Sequence, residues 1–200
     1  MRGVKATLIW AALAAAIGVP IALTATSDLL EYRGPIYIVA GFAGIVALGL
    51  VLIQPLLIAG YLPGLPGLRG RQVHHWIGGT LAAVVVIHVV GLWITSPPDM
   101  IDALTFTSPT PFSPFGVVAM WAIFAVALLT VFRRKMGPRA WRLVHLSLAA
   151  VIVIGGVAHA ALVEGAMETM SKLALCALVL AAAIKVMAGL LLRRRRATSR

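Results

Sequence analysis

The chain has 200 residues and a net charge of +11, and 61% of its residues are hydrophobic while only 12% are charged. A mean hydropathy of +1.01 is too high for a soluble domain of this length. The composition therefore excludes the soluble classes and predicts an integral membrane protein. The single cysteine, Cys176, excludes a disulfide framework.

Six apolar runs are long enough to cross a membrane as helices. They cover Ala6–Ala25, Ile36–Ala59, Val73–Thr95, Phe115–Phe132, Trp141–Val163 and Lys172–Leu192. The sequence therefore predicts an all-α fold, a six-helix membrane bundle that forms a single domain over residues 1–200. No hydrophilic stretch is long enough for a second domain, so a flavin- or nicotinamide-binding module would have to belong to a partner.

The charged residues predict the orientation of this bundle. The acidic residues fall in the first, third and fifth loops, at Asp28, Glu31, Asp99, Asp102, Glu164 and Glu168. Basic residues gather near both termini and in the second and fourth loops. Because basic loops stay on the cytoplasmic side, we expect both termini in the cytoplasm and the acidic loops outside. The charge thus marks orientation, and no nucleic-acid partner is expected.

Four segments need separate interpretation. Residues 1–26 form either the first membrane helix or a cleaved signal peptide, and the length of the apolar run favours the helix. In the second span, Gln54 and Pro55 are expected to mark a packed helix with a kink. The segment GYLPGLPGLRGRQ, rich in glycine and proline, is expected to be a turn. The long third loop is either a connector stiffened by prolines or a cap over a functional site.

All five histidines lie in the third and fifth spans. His74 and His88 are fourteen residues apart, as are His145 and His159, so each pair shares one helix face with about 21 Å between its members. The charge pattern makes these two spans parallel. His74 would therefore meet His145 near the cytoplasmic surface, and His88 would meet His159 nearer the outside. A lone membrane histidine often only hydrogen-bonds across helices, but two facing pairs at two depths are the geometry of two six-coordinate haems.

Several neighbouring residues belong to this hypothesis. His75 competes with His74 for the inner site, although it lies on a different helix face from His88. Small residues one turn from the ligands would leave room for a macrocycle or would instead allow close helix packing; they are Gly78, Ala149 and Gly155. Some of the nearby arginines are placed to pair with the propionates of the inner haem, although most such arginines only set topology. They are Arg69, Arg71, Arg139 and Arg142, of which Arg71 and Arg142 are our candidates.

Two segments resemble the haem-binding helices of the ferric reductase-like transmembrane domain family. They are RGRQVHHWIGG followed by VIHVV, and RRKMGPRAWRLVHLSL followed by GVAHA. The family includes ferric reductases, NADPH oxidases and the haem-binding membrane subunit of the bacterial periplasmic methionine sulfoxide reductase system. The resemblance implies six helices, electron transfer from the cytoplasmic side outward, and b-type haems. It carries the ligand roles to His74, His88, His145 and His159.

The leading hypothesis is a di-haem b protein of a bacterial-type cytoplasmic (inner) membrane. It would carry electrons from a cytoplasmic flavin-containing reductase to an acceptor or a periplasmic enzyme at the outer face. One alternative is a dedicated electron-donor subunit for a periplasmic enzyme such as a methionine sulfoxide reductase. A second alternative is a metal or proton transporter without haem, which the absence of Asp and Glu from the predicted spans makes less favourable.

Overall fold

A computed structural model describes the backbone of residues 2–198 and the side chains of residues 3–190. Its helices are α1 (Arg2–Ala25), α2 (Pro35–Ala59), α3 (Gly67–Thr95), α4 (Pro97–Leu104), α5 (Ser113–Phe132), α6 (Pro138–Leu162) and α7 (Thr169–Thr198). Within residues 2–198 there is no β-strand, and six helices, all except α4, are long and apolar enough to cross a membrane. The predicted all-α fold with six membrane helices is confirmed, and the chain is a multi-pass membrane protein.

The start of α3 differs from the sequence prediction. The segment LRGRQ, expected to belong to a turn, is helical because α3 already begins at Gly67. Pro66 is the last proline of the turn, so nothing beyond it interrupts a helix. Gly70 lies against the end of α2 and the turn that follows it, because a Cβ there would be 3.0 Å from the carbonyl oxygen of Leu57 and 2.6 Å from that of Leu65. Only a residue without a side chain permits this approach of the two backbones.

The third loop contains a short helix, α4, that the sequence analysis did not predict. Pro97 stands in the first turn of α4, where its missing N–H is not needed for the helix. Beyond α4, the carbonyl of Asp102 accepts the backbone N–H groups of Thr107 at 2.8 Å and Ser108 at 3.0 Å. The loop is therefore an ordered connector that folds back on itself between α3 and α5. Its role as a docking cap stays a prediction.

Two antiparallel hairpins form the frame of the bundle. α2 packs along α3, and α5 packs along α6. A Cβ on Gly91 would lie 2.7 Å from the Cβ of Ala40, and a Cβ on Gly155 would lie 2.9 Å from the carbonyl oxygen of Phe115, so glycines allow close contact in both hairpins. α3 of the first hairpin and α6 of the second run parallel and face each other, and they make few backbone contacts with each other. The histidine pairs lie between these two helices.

The remaining membrane helices cover one side of the frame. α7 packs on α2 and α6, and α1 packs on α2 and α7. Ile17 of α1 fills the space beside Gly49 of α2, and Leu175 of α7 is almost fully buried. Lys172 is also buried, and its Nζ donates a hydrogen bond of 2.7 Å to the carbonyl of Val163 at the end of α6. This contact caps α6 and fixes the helix that carries His159.

Alternating helix directions gather the charged residues at two ends of the bundle. We call the end that contains Arg71 and Arg142 the basic end, and the end that contains Asp99 and Glu164 the acidic end. At the acidic end, the carboxylate of Glu168 accepts the backbone N–H groups of Met170 and Ser171 at the start of α7. These hydrogen bonds hold the pKa of Glu168 below its usual value.

Candidate functional site

His88 of α3 and His159 of α6 face each other toward the acidic end. Their ring centroids are 6.4 Å apart and the ring planes are inclined at 81°. Both side chains are half-buried. We call these two residues the acidic-end pair. Because its members come from different hairpins, the pair is a contact point between the two halves of the frame.

Backbone carbonyls fix both imidazoles of the acidic-end pair. Nδ1 of His88 lies 2.7 Å from the carbonyl oxygen of Ala40, and Nδ1 of His159 lies 3.0 Å from that of Phe112. A carbonyl oxygen can only accept a hydrogen bond, so each Nδ1 carries the proton and donates it. Each Nε2 then keeps its lone pair, which is the tautomer that a histidine needs to bind a metal through Nε2.

His74 of α3 and His145 of α6 form a second pair nearer the basic end, the basic-end pair. Their centroids are 6.1 Å apart, with an interplanar angle of 72°. The indole of Trp141, one helical turn before His145, stacks on the His145 ring at 5.2 Å between centroids and 26° between planes. Nδ1 of His145 is buried and has no hydrogen-bond partner within the described part of the chain. Stacking therefore orients His145, in contrast to the carbonyl bonds of the acidic-end pair.

Gln54 of α2 lies against His74. Its backbone carbonyl is 3.4 Å from Nδ1 of His74. Its side-chain amide contacts the same Nδ1, and it can also donate to the carbonyl of His74 at 3.2 Å and accept from the backbone N–H of Gly78 at 2.9 Å. Gln54 is therefore an amide inserted between α2 and α3 at the height of the basic-end pair, a stronger role than the packed, kinked helix expected from the sequence.

The other predicted site residues are less constrained. His75, Arg71 and Arg142 are exposed. Each arginine stands three residues before a histidine of the basic-end pair, and propionate binding by Arg71 and Arg142 stays a prediction. Gly78 and Gly155, which the sequence allowed either as room for a macrocycle or as packing residues, both have neighbours. The amide of Gln54 lies beside Gly78, and α5 lies beside Gly155.

The sequence analysis missed the groups that hold the histidines. These are the Gln54 amide, the Trp141 ring, and the carbonyls of Ala40 and Phe112. Gln54 left a visible signal, because it is a lone amide inside an otherwise apolar span. The carbonyls left no signal in the sequence, because every residue has a backbone carbonyl. Only helix packing decides which carbonyl a distant side chain reaches.

A model of the "Ferric reductase like transmembrane component" family matches residues 40–156, more than half of the chain. The chain belongs to this family. The matched segment includes His74, His88 and His145 and ends three residues before His159. No significant match is found among curated proteins or solved structures. The predicted family is thereby confirmed, and the protein is a transmembrane electron-transfer component.

The ring spacing within each pair is compatible with the haem that domains of this family typically bind. A metal held between two imidazole nitrogens at roughly 2 Å from each would separate the ring centroids by about 6 Å. The observed separations are 6.1 Å and 6.4 Å. Among residues 3–190, no three His, Cys, Asp or Glu side chains come together as a metal site. Each level brings together two imidazoles, and two is the number of protein ligands that a six-coordinate haem requires.

Proposed function

We propose that the protein is a di-haem b electron carrier that transfers single electrons across a bacterial-type cytoplasmic (inner) membrane. His74 and His145 would hold one haem, and His88 and His159 the other. The observation that carries the proposal is the presence of two facing histidine pairs at two heights between the same two helices. When bound, haem supplies one-electron redox chemistry at each height, and the chain supplies axial ligands, burial and orientation.

The tautomers of the acidic-end pair support its role as a ligand pair. With each Nδ1–H given to a carbonyl, both Nε2 atoms have lone pairs available without any change of protonation. Both rings do make the cross-helix hydrogen bonds that are the alternative role of a membrane histidine, but only through Nδ1, so each Nε2 remains available to a metal. Rings that are oriented in advance lose little conformational entropy when they bind a cofactor.

The basic end supports electron entry from a cytoplasmic flavin-containing reductase. By the positive-inside rule this end faces the cytoplasm, and all six acidic residues of the chain lie in the loops of the other end. A partner with an acidic docking surface would be attracted to Arg133, Arg134 and Arg142, which are exposed there. Trp141 lies in a surface pocket with Arg133 and Arg134, and its indole stacks on His145. The donor would thus dock beside the basic-end pair.

The acidic end would face the acceptor or periplasmic enzyme. The third loop ends at Phe112, which touches His159 twice. Its carbonyl accepts the Nδ1–H, and its ring lies edge-on to the imidazole at 5.7 Å between centroids. A molecule bound on this loop would therefore be close to the acidic-end pair. The arrangement supports electron exit at this face, either to a soluble acceptor or to a dedicated periplasmic reductase.

A reduced-minus-oxidised visible spectrum of the detergent-purified protein, with haem quantified per chain, tests the proposal. Two low-spin b-type haems per chain are expected. One haem per chain would limit ligation to a single pair. Colourless protein from cells supplied with ample haem would refute the proposal and favour a metal or proton transporter. Copurification with a flavin-containing reductase, and loss of that reductase at high salt, would test the donor at the basic end.

A further inference from the structure

Both carbonyls that hold the acidic-end pair precede a glycine by four residues. The carbonyl of Ala40 is followed by Gly44 in α2, and the carbonyl of Phe112 is followed by Gly116 in α5. α2 and α5 belong to different hairpins, so the same local arrangement occurs twice. A single glycine next to a single histidine would be common in a membrane helix. Here each histidine of the pair has its own glycine at the same position relative to its carbonyl.

Helix geometry explains why the fourth residue matters. Side chains in an α-helix tilt toward the N-terminus, so the Cβ of one residue covers the helix surface over the preceding turn. The carbonyl of that turn already accepts the N–H of the fourth residue, but a carbonyl oxygen has a second lone pair. A glycine at the fourth position uncovers this lone pair, and a side chain from a neighbouring helix can then reach it.

The contacts show that the histidine rings occupy the space left by these glycines. A Cβ on Gly116 would lie 2.5 Å from Nδ1 and 2.8 Å from Cε1 of His159. A Cβ on Gly44 would lie 3.0 Å from Cε1 and 3.1 Å from Nδ1 of His88. In both cases the nearest atoms include the nitrogen that donates to the carbonyl. A methyl group at either position would therefore push the ring away from its acceptor.

Other glycines of the same helices have different neighbours. A Cβ on Gly49 of α2 would also come within 3.0 Å of an atom, but that atom is Cγ2 of Ile17, and Gly41 has nothing within 4 Å. Gly49 thus serves the packing of α1, whereas Gly44 serves a histidine. Close helix packing alone does not account for Gly44 and Gly116, because what fills their space is an imidazole from the neighbouring helix.

We propose that Gly44 and Gly116 are positioning residues for the acidic-end pair. Each opens a socket in which the imidazole of His88 or His159 inserts and donates Nδ1–H to the exposed helix carbonyl, so that Nε2 is presented to the cofactor. The proposal rests on the proposed function, since it assumes that the pair holds a haem. It assigns these glycines a role at the acidic-end pair alone. Substitutions of Gly44 or Gly116 should therefore leave the basic-end pair unchanged.

The test compares alanine substitutions in the full-length protein. Gly44→Ala and Gly116→Ala are the test variants, and Gly49→Ala and Gly41→Ala are the controls. Gly49→Ala is closely matched to Gly44→Ala, because it lies in the same helix and has the same nearest approach of 3.0 Å. The readouts are haem per chain, the electron paramagnetic resonance spectrum of the oxidised protein, and the midpoint potential of each haem.

Both test variants are expected to change only the haem of the acidic-end pair. Haem per chain should fall by up to half, or the haem should remain with an altered low-spin or a new high-spin signal. Where it remains, its midpoint potential should rise, because an imidazole without its carbonyl acceptor is a weaker electron donor to the metal. The haem of the basic-end pair should keep its signal, which shows that the chain is folded. Both controls should match the parent.

Three results would overturn the inference. The inference fails if the test variants keep both haems with parental spectra and potentials. It also fails if Gly49→Ala changes the same haem as Gly44→Ala. A Gly116→Ala protein that loses both haems has not folded, and the milder Gly44→Ala then decides. A parent protein without haem would refute the proposed function and this inference together, whereas unchanged test variants of a parent with two haems would refute this inference alone.

Discussion

Substitution of single histidines should remove one haem and leave the other. Fourteen residues of α-helix separate His74 from His88, which corresponds to about 21 Å along the axis. Sites more than about 10 Å apart without shared partners behave independently. His88→Ala leaves His159 as the only imidazole at its level, so haem per chain should fall to about half of the parental value. His74→Ala should remove the other half, and the double variant should bind almost none.

The assay is the reduced-minus-oxidised spectrum together with haem per chain, measured for the parent, each single variant and the double variant. His75→Ala is the control, because His75 is exposed and adjacent to His74. It should keep both haems. The reasoning is refuted if His88→Ala keeps full haem content. It is also refuted at the basic end if His75→Ala loses a haem while His74→Ala does not, since His75 would then be the ligand.

Three further outcomes follow from contacts outside the ligand pairs. Gln54→Leu removes the amide that packs against the His74 ring, so the basic-end pair should retain its haem less well in a dilution series; unchanged haem retention would contradict this. Gly70→Ala should destabilise the protein by about 1–3 kcal/mol through overpacking against backbone oxygens. Gly79→Ala, with nothing within 4 Å, should be neutral or slightly stabilising, and equal denaturation midpoints for the two variants would show the reasoning to be wrong. Because its pKa is lowered from 4.5 by backbone N–H donors, Glu168 should make the parent more stable than Glu168→Gln at neutral pH. This difference should shrink as the pH falls through the lowered pKa, where the carboxylate is protonated, and a difference that persists in acid would exclude the charge as its cause.

Much of the architecture could be predicted from the residues in order. Hydrophobicity is additive along a segment, so the six membrane helices appear in the sequence as six long apolar runs. Helical periodicity is fixed by backbone geometry, so equal spacings of fourteen residues on two parallel helices placed His74 level with His145 and His88 level with His159. The structure brings together the two cross-helix pairs that this spacing implies. The single-domain organisation, the membrane orientation and the ligand roles stay predictions.

The start of α3 shows where local reasoning failed. The segment LRGRQ was predicted to be part of a turn because it ends a stretch rich in glycine and proline. In the folded chain, the carbonyls of Leu57 and Leu65 lie so close to Gly70 that a glycine is required within a helix. Propensity describes an isolated segment, and the packing of α2 against α3 overrides it.

The supports of the histidines were decided only by tertiary structure. The carbonyl that holds His88 is 48 residues away in the chain, and the one that holds His159 is 47 residues away. Nothing in the local sequence of α3 or α6 specifies these partners, because the rotation and height of one helix against another depend on side chains from both. The sequence by itself determined which residues could bind a cofactor and at what heights. The packing of α2 on α3 and of α5 on α6 decided which way each imidazole points and which of its nitrogens stays free.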